Sequence, residues 1–91
     1  MPQAHRKSDV CTGHGMCSPR PTVAWSENVY WNHLNAQRIG DPYDTHCLHE
    51  GYCAEGSENV FVNSIGAVRV GDAVDCGGYA AIGSETIFIN N

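Results

Sequence analysis

The sequence predicts a small all-β protein of three β-hairpin repeats around a pseudo-threefold axis, with almost no helix. Three observations predict it. Two short blocks recur three times in the same order, and each copy of the second block carries β-branched and aromatic residues. No segment shows the 3.6-residue apolar period of a helix. A chain of 91 residues has room for one domain, so we expect a single domain over 1–91.

The first block reads Ala-x-Arg-x-Gly-Asp and begins at Ala4, Ala36 and Ala67, with Ser in place of Gly in the first copy. Gly-Asp is typical of the turn that ends a strand. Each copy therefore predicts a short strand that ends in a tight turn.

The second block reads Ser-Glu followed by Asn or Thr, an apolar triplet and Asn. The triplets at 29–31, 60–62 and 87–89 predict strands. Because all three residues of each triplet are apolar, we expect these strands to be buried on both faces. The repeats run approximately over 4–32, 36–63 and 67–90.

Long loops join the two blocks inside each unit, and all of them leave the same end of their hairpins. They span 10–25, 42–56 and 73–83, and we call this end the loop end. Three-residue turns at 33–35 and 64–66 join successive units at the opposite, hairpin-turn end, where both termini also lie.

Composition limits the classes of function. The net charge is −5, which disfavours a nucleic-acid binder. No apolar run is long enough to span a membrane, and the N-terminus lacks the apolar stretch of a signal peptide. We expect a protein made in the cytoplasm without a signal peptide. So short a chain has a marginal core, which favours stabilisation by a metal, disulfides or a partner.

Most of the five Cys and five His lie in the long loops. Convergence of these loops would assemble a tetrahedral zinc site, for which His and Cys are suitable ligands. A site that uses all three loops must include Cys76. His14 lies between two glycines that allow a tight bend, and His46 and His49 are close enough to bind one ion. The favoured set is therefore His14, His46, His49 and Cys76, around one structural zinc ion.

Two alternatives use the cysteines differently. Equal spacings are compatible with two local disulfides, Cys11 with Cys17 and Cys47 with Cys53. A rival metal set takes one thiol from each loop, Cys11, Cys47 and Cys76, together with one His. The histidines outside the loops, interpreted as ordinary polar surface residues, are His5 and His33.

No catalytic site is predicted. Four protein ligands leave no open position for water on the ion, so the metal would be structural. The sequence lacks a nucleophile elbow, a P-loop and a dinucleotide-binding glycine pattern. We therefore expect a protein that is not an enzyme.

The two blocks resemble the PAAR-repeat family, named for proline-alanine-alanine-arginine, over essentially the whole chain. The closest copies are Ala-Val-Arg-Val-Gly-Asp at 67–72 and Gly-Ser-Glu-Asn-Val-Phe-Val-Asn at 56–63. Thr-Gly-His-Gly at 12–15 and Asp-Cys-Gly at 75–77 resemble the family's first-loop and last-loop motifs. This sequence lacks the Pro before each Ala, and Glu replaces Pro after each Ser.

The resemblance implies a β-cone with zinc near the apex, held by three His and one Cys, which here are His14, His46, His49 and Cys76. It also implies a non-enzymatic tip that caps and sharpens a trimeric β-helical spike, one copy per trimer. Such tips belong to contractile injection systems, including type VI secretion and phage tails, and pierce the target cell envelope. The protein would be assembled into the machine and delivered to the target cell, without stable membrane insertion.

The docking face for the spike is expected at the hairpin-turn end. Pro2, Leu34 and Ile65 occupy equivalent places there, two residues before each Ala, and would form an apolar docking patch. These residues could instead pack under their own hairpins. Two other functions stay open: an adaptor that links separate effector chains to the spike, and a free-standing metal-binding protein.

Overall fold

The protein is all-β in the part of the chain that a computed structural model describes, residues 2–13, 17–45, 51–75 and 77–89. These residues contain no helix, which confirms the predicted fold class. Two antiparallel hairpins are the named elements. They pair β1 (Tyr30–Trp31) with β2 (Leu34–Asn35) and β3 (Phe61–Val62) with β4 (Ile65–Gly66).

The hairpin turns are shorter than the sequence predicted. They consist of Asn32–His33 and Asn63–Ser64, and all four residues have positive φ, between 53° and 70°. Positive φ at both central residues matches the twist of the flanking strands, and Asn adopts this conformation more readily than most residues. The predicted three-residue turns at 33–35 and 64–66 are therefore wrong, because the residues after each pair already belong to β2 and β4.

The two ends of the chain supply a third pairing of the same kind. Phe88 in the last triplet forms an antiparallel bridge with Gln3, and the Ala4 N–H donates to the Ile87 carbonyl at 2.9 Å. The Ala36 N–H makes the corresponding hydrogen bond to the carbonyl of Val29, the first residue of the first triplet. The N-terminal segment therefore pairs with the last triplet, as expected for termini at the same end.

A closed ring of three backbone hydrogen bonds joins the three units. The His5 N–H donates to the Val68 carbonyl at 3.0 Å, Val68 donates to Gln37 at 3.0 Å, and Gln37 donates to His5 at 3.2 Å. These are the middle residues of the three Ala-x-Arg tripeptides. The alanines beside the ring have no exposed surface, so a larger side chain there would overpack the core: Ala4, Ala36 and Ala67.

An arginine–aspartate pair completes each first block. In the third unit, the backbone N–H and Nε of Arg69 donate to Oδ2 of Asp72 at 2.8 and 3.0 Å, and Nη2 donates to Oδ1 at 2.9 Å. This fork fixes both side chains and also satisfies a backbone donor, which explains the three-residue spacing of Arg and Asp. The same pair recurs as Arg6–Asp9 and Arg38–Asp41.

Each apolar triplet packs only one face of its strand against the core, and its other face is exposed. Their middle residues are exposed: Tyr30 by 52%, Phe61 by 58% and Phe88 by 45%. The outer residues of each triplet lie in or against a cluster that contains the buried Val62 and Ile89. The expectation that these strands are buried on both faces is therefore wrong. Successive side chains of a strand point to opposite faces, and nothing in the described chain covers the outer face.

Candidate functional site

Hydrogen bonds at the loop bases tie the third loop to the other two. Thr12 in the first loop donates its N–H to the Tyr79 carbonyl at 2.7 Å, and its hydroxyl oxygen accepts the Tyr79 N–H at 3.0 Å. The second loop meets the third where the Asp75 N–H donates to the Tyr52 carbonyl at 3.0 Å. The Tyr52 N–H in turn donates to the Asp75 carboxylate at 3.0 Å.

The first and second loops are also joined directly. The Asp44 N–H donates to the Pro21 carbonyl at 2.9 Å, and Nη2 of Arg20 lies 2.5 Å from the Asp44 carboxylate. The hydrogen bond from Arg20 lowers the pKa of Asp44. Both side chains are partly exposed, so this ion pair adds little stability. The described bases of all three loops therefore lie together.

The four predicted zinc ligands lie outside the described residues: His14, His46, His49 and Cys76. In the sequence, His14 directly follows Gly13, and Cys76 lies two residues before Gly78. The first and third loops approach each other closely at these two glycines. A side-chain carbon built on Gly78 would lie 2.9 Å from the carbonyl oxygen of Gly13, so only glycine fits at residue 78. Within 2–13, 17–45, 51–75 and 77–89, no group of three His, Cys, Asp or Glu is arranged to hold a metal ion.

The described cysteines contradict the alternative of two local disulfides. Cys11 and Cys53 are free thiols and only 2% exposed, whereas Cys17 takes part in a disulfide. Pairing of Cys11 with Cys17 and of Cys47 with Cys53 is therefore wrong. The free thiols face the core, and burial raises the pKa of Cys53 to about 12, so it remains a neutral thiol.

At the hairpin-turn end, each predicted docking residue lies across from the last residue of a triplet. Leu34 pairs with Trp31, Ile65 pairs with Val62, and the Pro2 carbonyl accepts the Ile89 N–H at 2.9 Å. These triplet residues belong to one core cluster or pack against it, so each docking residue pairs with a residue of the same cluster or its border. Ile65 is 39% exposed, and the other two are half-buried.

The sequence profile of the PAAR motif matches residues 12–82. The chain belongs to the PAAR motif family. No curated protein sequence matches it. Members of this family are structural proteins at the spike tip of type VI secretion and phage-like injection machines, and they are not known as enzymes. The match confirms the resemblance read from the sequence and gives this PAAR protein that general role.

The PAAR protein also contains a buried polar network that the sequence did not reveal. His5 has no exposed surface, and its Nδ1 lies 2.7 Å from the Ile82 carbonyl oxygen. Because a carbonyl only accepts, Nδ1 carries the proton, and Nε2 accepts a hydrogen bond from the Tyr43 hydroxyl at 2.7 Å. Burial lowers the pKa of His5 and raises that of Tyr43. Both groups are therefore neutral at pH 7.

The interpretation of His5 as a surface residue is wrong, because its position in the Ala-x-Arg tripeptide places it inside the ring that joins the three units. A signal was available: Gln37 and Val68 occupy the equivalent positions, and a site shared by His, Gln and Val is not typical of a solvated surface. His33, in contrast, is exposed, as predicted.

The described residues of the PAAR protein form no helix that could span a membrane.

Proposed function

We propose that this PAAR protein caps a trimeric β-helical spike, with one copy bound per trimer. The hairpin-turn end faces the spike, and the loop end points outward as the tip that meets the target envelope. The ring through His5, Gln37 and Val68 supports this best, because it relates three similar units within one chain. A monomer that presents the same contact three times can match each chain of a trimer with one unit.

The contact surface of the cap is the apolar patch of Pro2, Leu34 and Ile65. Ile65 is exposed although it is apolar and follows a tight turn, and removing such surface from water stabilises a complex. An aspartate in this patch would have to be buried without a partner on docking, which costs several kcal/mol. The double variant Leu34→Asp/Ile65→Asp should therefore lose spike binding.

Binding is measured by calorimetry against the trimeric β-helical spike segment encoded in the same genome. The matched control is Val23→Asp/Tyr79→Asp, which places two aspartates at residues that are 46% and 52% exposed, away from the patch. The control should bind with a stoichiometry of one chain per trimer, and both variants should keep the circular dichroism spectrum of the parent. Unchanged binding by Leu34→Asp/Ile65→Asp would rule out this docking face.

At the loop end we propose one structural zinc ion bound by His14, His46, His49 and Cys76. Three imidazole nitrogens and one thiolate form a suitable tetrahedral set for zinc. Hydrogen bonds between the described loop bases support the convergence that such a site requires. The ion would tie the three loops together beyond the buried cluster at their bases, and so stiffen the tip. That cluster contains Cys11, Tyr43, Cys53, Val74 and Ala80.

A native mass spectrum tests this proposal, with a spectrum of the denatured protein as reference. One zinc ion per chain is expected in the native spectrum, and His46→Ala should reduce zinc occupancy. His33→Ala, which changes an exposed histidine outside the loops, is the control and should keep the ion. A native protein without metal would contradict the zinc site but would leave the capping function standing.

A further inference from the structure

Two polar clefts of similar size lie where neighbouring units meet, with volumes of about 380 and 360 Å³. Each contains an arginine of the first block, an asparagine of a hairpin turn and a glutamate of the second block. These residues are Arg6, Asn32 and Glu85 in the first cleft, and Arg38, Asn63 and Glu27 in the second. The repeat therefore forms the same site twice, and we call these sites the junction clefts.

Hydrogen bonds place the junction clefts at the hairpin-turn end. Asn63 donates from Nδ2 to Oδ1 of Asn28 at 2.9 Å and accepts from the Ser26 hydroxyl at 2.6 Å. In the other cleft, Asn32 donates to the Thr86 hydroxyl oxygen at 2.9 Å. The residues that flank each cleft glutamate are thus held against a hairpin turn, beside the docking patch.

Each junction cleft contains one glutamate in addition to an arginine that is paired with an aspartate. Arg6 and Arg38 are paired with Asp9 and Asp41, each with an Nε–Oδ2 distance of 3.0 Å. The glutamates of the two clefts are exposed and form no salt bridge within the described part of the chain. An arginine–aspartate pair is neutral as a unit, so the glutamate sets the charge of the first cleft. In the second cleft, Nζ of Lys7 lies 4.9 Å from the ring centroid of Trp25, a residue that lines the cleft, and adds a positive charge near Glu27.

The third unit has the same set of charges. Arg69 is paired with Asp72, and Glu58 is exposed at the position equivalent to the two cleft glutamates. The hydrogen bond to Asp72 and, in smaller part, nearby glutamates that include Glu58 raise the pKa of Arg69. The negative charge of Glu58 thus contributes to raising the pKa of Arg69, as that of Glu27 contributes to raising the pKa of Arg38.

We propose that each junction cleft, and the equivalent surface of the third unit at Glu58, receives one lysine or arginine side chain from one chain of a trimeric partner. The pairing carboxylates are Glu27, Glu58 and Glu85. This rests on the proposed capping function and adds the chemistry of the partner surface. An apolar centre bordered by exposed glutamates matches a partner with an apolar centre and a border that carries basic side chains. The charges steer association and set the rotation of the cap on the spike, while the apolar patch supplies most of the affinity.

The test measures the affinity and its salt dependence for the same spike segment at low and high sodium chloride concentration. Glu27→Gln/Glu85→Gln removes two cleft charges while keeping the side-chain size. Its matched control, Glu55→Gln/Asp75→Asn, removes two exposed carboxylates of the long loops and keeps their amide oxygens as hydrogen-bond acceptors. Each of the single variants Glu27→Gln, Glu58→Gln and Glu85→Gln is compared as well.

The double cleft variant should bind about tenfold more weakly at low salt, with a smaller loss at high salt, whereas the loop control should match the parent. The three single variants should weaken binding by similar factors of about two to five, because each pairs with one chain of the trimer. If the cleft and loop variants bind equally while Leu34→Asp/Ile65→Asp does not bind, the junction-cleft proposal is wrong and capping stands. If the parent protein itself does not bind the spike segment, both proposals fail.

Discussion

The hydrogen bond between Tyr43 and His5 gives the sharpest test of how this small core is stabilised. Tyr43→Phe removes one oxygen atom and keeps the ring. The Tyr43 hydroxyl is the donor for Nε2 of His5, a side chain with no exposed surface. The variant therefore loses a buried hydrogen bond and leaves a buried acceptor without its donor.

The expected loss follows from that geometry. A buried polar group left without its partner costs about 1–3 kcal/mol, so we expect a decrease of about 2 kcal/mol in the free energy of unfolding. For a domain of this size, that corresponds to a decrease of roughly 8–16 °C in Tm. The loss should be large relative to the total stability, because a chain of 91 residues has little stability in reserve.

Urea unfolding followed by tryptophan fluorescence measures the change. Tyr79→Phe is the matched control, since it removes the same oxygen from a tyrosine that is 52% exposed, and it should change stability by less than about 0.5 kcal/mol. Equal stability of Tyr43→Phe and Tyr79→Phe would refute the reasoning, because the buried hydrogen bond would then contribute nothing measurable.

Three further predictions concern pH, a turn and an ion pair. Burial lowers the pKa of His5 in the folded protein, so as the pH falls the unfolded chain binds a proton at this imidazole before the folded protein does. The contribution of His5 to stability should therefore be complete above its usual pKa of 6.5. Below that pH, the free energy of unfolding should decrease by up to about 1.4 kcal/mol per pH unit. His5→Gln should lose this part of the pH dependence in urea titrations at pH 5 to 8, and an unchanged slope would contradict it. Asn63 has a φ of 53°, and its side chain accepts a hydrogen bond from the Ser26 hydroxyl. Both Asn63→Ala and Asn63→Gly lose that hydrogen bond, but only glycine tolerates this φ, so Asn63→Ala should be less stable than Asn63→Gly by about 1–2 kcal/mol. Equal melting temperatures of the two variants would argue against backbone strain. Asp72→Ala leaves Arg69 and its N–H without their acceptor and should cost about 3–5 kcal/mol by chemical denaturation, so a loss below 1 kcal/mol would contradict a structural role for the fork.

The second sequence block predicted the strands β1 and β3, which lie within its first two triplets. The strands β2 and β4 lie between the blocks, where the sequence predicted turns. Local chemistry was sufficient for β1 and β3, since β-branched triplets favour extended backbone. The family membership and the equivalence of Pro2, Leu34 and Ile65 also follow from the repeat. The spacing of the arginine and aspartate of each first block was visible in the sequence, although the fork between them was not.

Tertiary structure alone decided burial and partners. The sequence could not show that Phe61 faces solvent while Val62 is buried, because both are apolar and only the neighbouring hairpins determine which face is covered. His5 is buried for the same reason, since its hydrogen-bond partners Tyr43 and Ile82 come from distant segments. The junction clefts likewise form only where two units meet. A repeat specifies its own strands through local preferences, whereas burial and charge pairing depend on contacts between copies, which the periodicity of one copy does not encode.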